Sequence, residues 1–365
     1  MSETKNKGEW SEFYAFLKIL RDRKLVAAHA NLEPIRDTYY PVLQVLRDSK
    51  DVKRRYELLD TGQVKLTIEE NLISQELLIE PKFLKESVQY IFKNITESKG
   101  RAFKIRGSEE IVSHLKCGDI KANSSKKGDI TLVIHDSITQ QNNTVDFSIK
   151  SYAGAAPTLL NASGSTRFRY AVNGFRGNKE DINNLNPRSS KVQARFLKVL
   201  ETSDEIRFSS MLNKNFAKNL IKLDSLMPLF ISEYLRFYFL GYGNSLEVLT
   251  SHVASSPRIK EVVLFPISEE DLKYKLKQLL LNVALGLVPS KEWNGFLKAD
   301  GGYIIVKETG DIVCFHIYNT AELGEYLYHN TRFDTGSTRR NKFATIFKEE
   351  NQWFFDLNLQ ISFKK

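Results

Sequence analysis

The chain has 365 residues, enough for about two domains of ordinary size with a core in each. Apolar residues at 42% and charged residues at 27% exclude wholesale disorder, and an excess of Lys+Arg over Asp+Glu of 53 to 44 gives a net charge of +9 that favours polyanionic partners. Cys117 and Cys314 are too few for a disulfide framework and lack metal-ligand spacing, the start MSETKNKGEW has no apolar signal core, and the longest apolar run, 279–288, is too short to span a bilayer; a reducing cytoplasm without membrane association is the expected setting.

In chain order, GEWSEFYAFLKIL (8–20) predicts a helix opened by glycine and acidic residues, which suit a positive helix N-terminus. At about 100° per residue, Trp10, Phe13, Tyr14, Phe16, Leu17, Ile19 and Leu20 form an apolar arc. Glu9 projects inside that arc and Glu12 lies between Phe16 and Ile19, so at least one carboxylate is expected to point inward, which is costly unless it is paired or coordinates a metal. The competing reading has Glu9 as a cap and Glu12 in solvent. Residues 31–60 read as mixed helix broken by Pro34 and Pro41, 61–78 as extended chain, and EPKFLKESVQYIFKNI (80–95) as an amphipathic helix. A short helix over 108–115 leads through KANSSKKGD, whose Lys121, Lys126 and Lys127 either meet backbone phosphates or sit on a solvated loop.

KGDITLVIHDSITQQNNTVDFSIK (127–150) reads as a hairpin. The pairing that sets Asp129 opposite Lys150, Thr131 opposite Ser148 and Val133 opposite Asp146 puts Ile130, Leu132 and Ile134 on one face with Val145, Phe147 and Ile149. The other face then carries Asp129, Ser148 and Lys150, an acid and a lysine side by side in the manner of a divalent-metal phosphodiesterase site. A solvated face with a chance ion pair is the bland alternative.

Residues 151–178 are rich in small and turn residues, with Arg167, Arg169 and Arg176 among Phe168, Tyr170 and Phe175, and with Ser163, Ser165 and Thr166 as short hydroxyl donors. A loop of this kind can approach a phosphate backbone while its arginines fork onto phosphate oxygens or guanine edges; an ordinary surface loop is the other reading. A boundary is expected over 178–191, dividing 1–180 from 181–365. Residues 192–281 read as mostly helical, with the stripe in NFAKNLIKLDSLMPLFISEYLRFYFL as core. Beyond Trp293 the chain turns β-rich, with a hairpin over 303–318 turning at Glu308-Thr309-Gly310-Asp311, a short helix over 321–328, and a terminal hairpin ending in WFFDLNLQISFKK. Arg332, Arg339, Arg340, Lys342, Lys364 and Lys365 gather there with Asn358 and Gln360, side-chain types that read guanine and adenine edges, or that serve as a solubilising end.

GDI ending at Ile130, SIK ending at Lys150 and a preceding helix with an inward glutamate resemble the PD-(D/E)XK nuclease superfamily. That resemblance implies an α/β (α+β) core, a central mixed sheet flanked by helices, in which Asp129 and a second acid bind Mg²⁺ and Lys150 handles the attacking water. Ser148 stands where the pattern has its second acid, and 151–173 contain no Asp or Glu. Gly8 followed by Glu12 resembles the glycine-to-glutamate spacing of archaeal junction resolvases, so Glu12 is the expected second acid, with Glu9 next; the Ile149 carbonyl is a further ligand implied by the superfamily.

GEWSEFY, KKGDITLVIHD, FSIKSYAGAAPTLLNASGSTRF, LKADGGYIIVK and LNLQISF, in order along nearly the whole chain, are similar to the HpaII family of type II restriction endonucleases. The resemblance implies Mg²⁺-dependent double-strand cleavage of DNA at a short palindrome, CCGG for the family's namesake, within a restriction-modification system that includes a cognate DNA methyltransferase. Ser362 departs from an LNLQIRF pattern that carries arginine there. Candidate DNA contacts are Lys127, Ser163, Thr166, Arg167, Arg169, Arg339, Arg340, Asn358 and Gln360. A palindromic site makes a homodimer the natural expectation. Two other functions fit the same residues, a decayed nuclease that only binds DNA and a structure-specific repair or junction nuclease.

Overall fold

The computed structural model describes residues 4–49, 51–71, 73–100, 102–118, 128–137, 139–154, 156–187, 190–341 and 343–365, so that Lys121, Lys126, Lys127 and Lys342 lie outside the described residues. Two compact units result, one of residues 1–157, 297–326 and 365, the other of 158–296 and 327–364. Residues 297–326, well past the boundary expected near 180, thus lie in the unit that contains the N-terminal helix.

That helix, Lys7–Asp22, begins at a capping box in which the Asn6 side chain accepts from the Glu9 N–H and the Glu9 carboxylate accepts from the Asn6 N–H. It buries Trp10, Phe13, Tyr14, Phe16, Leu17, Ile19 and Leu20, each contributing about 1.5–3 kcal/mol of hydrophobic stabilisation. The same cluster takes in Ile130, Leu132, Ile134, Phe147 and Ile149, so the helix covers the apolar face of the predicted hairpin. Alternation does the rest, because a strand that gives one face to a core must turn its other residues away.

The hairpin strands, Ile130–Asp136 and Gln141–Ser151, sit inside a nine-stranded sheet. In spatial order its strands are Lys24–Ala28, Ile312–His316, Gly302–Val306, Gln141–Ser151, Ile130–Asp136, Pro34–Leu46, Val52–Leu58, Val64–Glu70 and Ile73–Ile79. Gly302–Val306 runs parallel to Gln141–Ser151 and Ile312–His316 parallel to Lys24–Ala28, among otherwise antiparallel neighbours, so the sheet is mixed. Lys24–Ala28 also pairs with Pro34–Leu46, which closes the first part of this order on itself.

Two expectations change here. Residues 31–60 are strands, not mixed helix: the β-branched and aromatic run TYYPVLQVL suits a pleated surface, and Pro34 opens the strand while Pro41 precedes a register shift between Val42 and Gln44. The hairpin register is two residues away from the expected one, with Ile130 opposite Phe147 and Thr131 opposite Asp146. A shift of two leaves every side chain on its predicted face.

The second unit carries a four-stranded sheet in the order Glu205–Met211, Arg167–Asn173, Gln352–Asn358, Ile346–Glu349, and a three-stranded one in the order Thr158–Leu160, Ile361–Phe363, Thr331–Phe333. Arg167–Asn173 is therefore a central strand where a surface loop was expected. Its Phe168, Tyr170 and Val172 are buried while Arg167, Arg169 and Ala171 alternate with them, and that period of two is visible in RFRYAVN. Glu205–Met211 is likewise a strand inside a stretch read as helical. Helices Lys191–Glu201, Lys214–Leu223, Met227–Leu240, Leu246–Ser255 and Glu269–Leu285 supply the expected aromatic and leucine core.

Candidate active site

Gly128 is where the site begins. A Cβ there would lie 2.9 Å from the Asp146 Cβ and 3.0 Å from the Phe147 carbonyl oxygen, so only glycine lets the chain come this close to the Gln141–Ser151 strand. The next residue, Asp129, then grips that strand on both sides of Ser148: its N–H donates to the Phe147 carbonyl at 2.9 Å and its Oδ2 accepts from the Ile149 N–H at 2.7 Å. The carboxylate thus replaces a backbone acceptor at the end of the ladder, and one of its oxygens is fixed by the fold. Gly128→Ala should cost about 1–3 kcal/mol of stability through this overlap, and should lower cleavage more than the loss of folded protein explains; a melting curve with a cleavage assay at a temperature where both proteins are folded separates the two effects, and unchanged cleavage would refute the placement.

Ser148 and Lys150 follow on the same face of the strand as Asp146, all three half-buried. Thr131 Oγ1 donates to Asp146 at 2.5 Å, which keeps that nearby acid engaged within the hairpin. On the parallel neighbour, Tyr303 stands next to Ser148 and Ile305 next to Lys150. Tyr303 is fully buried, and burial together with the charge of Asp129 raises its hydroxyl well above the usual tyrosine range. Tyr152 and Tyr326 share a hydrogen bond of 2.7 Å between their hydroxyls nearby.

The N-terminal helix brings two further carboxylates to this unit. Glu9 is committed to the capping box at 3.0 Å, as the bland reading of it expected. Glu12 is half-buried one turn further on. The helix lies over the apolar face of the hairpin, whereas Asp129, Ser148 and Lys150 belong to the opposite face. Lys7, in the first turn, lies against Gly154 just past that end, where a Cβ would meet the lysine Cδ at 2.6 Å.

Among the described residues no group of three or more His, Cys, Asp and Glu is arranged to hold a metal ion. Magnesium does not need such a group, since it is commonly held by one or two carboxylates together with waters and substrate phosphate. Asp129, half-buried and with one oxygen anchored on the strand that carries Lys150, fits that mode of binding.

The second unit places the other candidates. Arg169 is clamped between Asp356 at 3.1 Å and Glu349 at 2.6 Å, with its guanidinium over the Phe347 and Phe354 rings at 4.9 and 5.1 Å. Arg167 reaches Asp356 at 3.8 Å and donates to the Asn341 carbonyl. Asn358 is fully buried, accepting from Thr166 Oγ1 and donating to the Ser163 carbonyl at 3.0 Å, while Ser163 caps the turn that holds Thr166. Gln360 and Ser362 both donate to Asp334, at 3.2 and 2.8 Å. Arg339 and Arg340 are exposed on the short helix Thr338–Asn341. Sequence reasoning missed Gly128 and Tyr303 as parts of the candidate site; LKADGGYIIVK was noticed as a motif, but a parallel neighbour from about 150 residues downstream has no local signature.

A family model described as HpaII restriction endonuclease matches residues 6–363. The chain is 31% identical over 360 residues to the type II restriction enzyme HpaII of Haemophilus parainfluenzae, an alignment that covers 98% of each chain. No solved structure matches.

Proposed function

The chain belongs to the HpaII restriction endonuclease family and is a type II site-specific deoxyribonuclease, and from that premise we propose that it makes Mg²⁺-dependent double-strand breaks at a short palindrome, CCGG. The observation that carries the reading is the Asp129 carboxylate, held by the Ile149 N–H beside Lys150 at the end of a hairpin.

In this reading Asp129 and Glu12 are the acids that hold the cation, Glu9 is spent on the helix cap, and the Ile149 carbonyl completes the protein's donors. Magnesium supplies stabilisation of the charge that builds on the scissile phosphate and lowers the pKa of the attacking water. Lys150 orients that water and, as an ammonium, offsets negative charge on the phosphate. Ser148 leaves the lysine's neighbour uncharged, which lightens the negative charge around the centre. In the second unit the exposed Arg339 and Arg340 are the proposed DNA contacts, together with Gln360, while Arg167, Arg169, Asn358, Ser163 and Thr166, held by partners within the unit, frame them. Lys127 is a phosphate contact from sequence, outside the described residues. A two-fold homodimer matches a palindrome. A companion methyltransferase protects chromosomal DNA in the same cytoplasm.

The test is digestion of a sequenced plasmid with and without Mg²⁺, followed by sequencing of the fragment ends. Discrete fragments ending at one short palindrome, lost on chelation, are expected. Cutting confined to junctions or flaps, or none at all, overturns the reading. Glu12→Gln should lower cleavage by two or more orders of magnitude, whereas Glu9→Gln should cost only about 0.5–1 kcal/mol of helix stability through the cap. The reverse ranking would move the second acid to Glu9.

A further inference from the structure

We infer that Tyr303 is a positioning residue of this centre, its hydroxyl holding the Asp129 carboxylate through one bridging water so that the free carboxylate oxygen faces the cation; the inference rests on the nuclease reading above. Tyr303 is 0% exposed, yet its hydroxyl has no hydrogen-bond partner among the described residues. Phenylalanine would fill the same space without stranding a donor, and buried donors are rarely left unpaired in folded proteins. The nearby hydroxyls of Tyr152 and Tyr326 bond to each other, and the Tyr303 hydroxyl bonds to neither. Asp129 and Tyr303 flank Ser148 from its two sides, and the charge of that carboxylate bears on this hydroxyl. Asp129 in turn has Oδ2 on the Ile149 N–H, which fixes one oxygen but leaves the rotation of the group to a second contact.

The placement of Tyr303 is also strongly determined. Asp300 Oδ1 accepts from the Asp146 N–H at 2.8 Å, and the Gly301 N–H donates to the Asp146 carbonyl at 2.8 Å, so the turn before Tyr303 is fastened to the same strand that carries Ser148 and Lys150. Gly302 adopts φ +121°, and a Cβ there would lie 2.1 Å from the Phe315 carbonyl oxygen. This turn delivers a polar group to the register position beside Ser148, which itself stands where the PD-(D/E)XK pattern has its second acid. A hydroxyl on the adjacent strand therefore compensates for the serine by orienting the remaining acid. One water suffices as the bridge, with a donor on one side and a carboxylate on the other.

The experiment uses the full chain saturated with a short duplex carrying the mapped cleavage site. Calcium is titrated calorimetrically into the complex of wild type, Tyr303→Phe and Asp129→Ala, and cleavage is then followed against Mg²⁺ concentration. For Tyr303→Phe we expect a melting temperature without cation equal to wild type or higher, calcium affinity and the Mg²⁺ midpoint weakened about tenfold, and a lower kcat at unchanged KM for DNA. Calcium affinity and Mg²⁺ midpoint equal to wild type overturn the role, whether or not the melting temperature falls. If wild type takes up no calcium beyond Asp129→Ala, the nuclease centre itself is misplaced, a result distinct from an intact centre that ignores Tyr303.

Discussion

Plasmid cleavage by Asp129→Ala is expected to fall by about a thousandfold or more, with duplex binding in the absence of cation kept within a few-fold of wild type. The size of the effect follows from the geometry: a backbone N–H of the residue next to the lysine fixes this carboxylate onto the Lys150 strand at 2.7 Å. Lys150→Ala should be comparably inactive if the proposed role of Lys150 holds, since the neighbouring strand has Ile305 at that position and offers no second ammonium. The double variant should be scarcely worse than either single one, because groups that act on the same transition state are not additive. Wild-type cutting by either variant would sink the assignment, and parallel loss of DNA binding would show misfolding.

A second large effect is expected far from the chemistry. Asp356 is 4% exposed and joins Arg169 and Arg167 in the four-stranded sheet of the second unit. Asp356→Ala should destabilise by about 3–5 kcal/mol, because it leaves guanidinium charge packed on the Phe347 and Phe354 rings without its main counter-ion. Asp356→Asn, which keeps an acceptor for Arg169, should be clearly milder. Denaturant unfolding of both variants checks the ranking, and a neutral Asp356→Ala would mean that Glu349 alone balances Arg169.

That cluster shows where the amino-acid sequence was ambiguous. Arginines alternating with aromatics in RFRYAVN look the same whether the arginines meet phosphates or acids of another strand, and the partner acid lies 187 residues away at Asp356. The N-terminal helix was legible because its periodicity, its cap and its acidic first turn are local. The hairpin faces were legible for the same reason, while the register was not: alternation fixes which residues share a face, and it is indifferent to a slip of two. Residues 31–60 misled because two prolines looked like helix breaks, whereas one opens a long strand and the other sits beside a register irregularity. Asp129 and Lys150 were visible as residues in a motif. Tyr303 was not, since nothing nearby in sequence says that Gly302–Val306 returns as the parallel neighbour of Gln141–Ser151.

The return of Gly302–His316 to the sheet also sets a clock on synthesis. About 150 residues separate Ser151 from Gly302, so a ribosome adding roughly 5–20 residues per second makes Asp129 and Lys150 some 8–30 s before the strand that walls them. Until then Lys24–Ala28 and Gln141–Ser151 each lack a neighbour of the finished sheet, and a chain released early would keep the acid and the lysine without Tyr303. For a protein that cuts DNA, the order of translation itself then delays the proposed centre until Gly302–Val306 has been made.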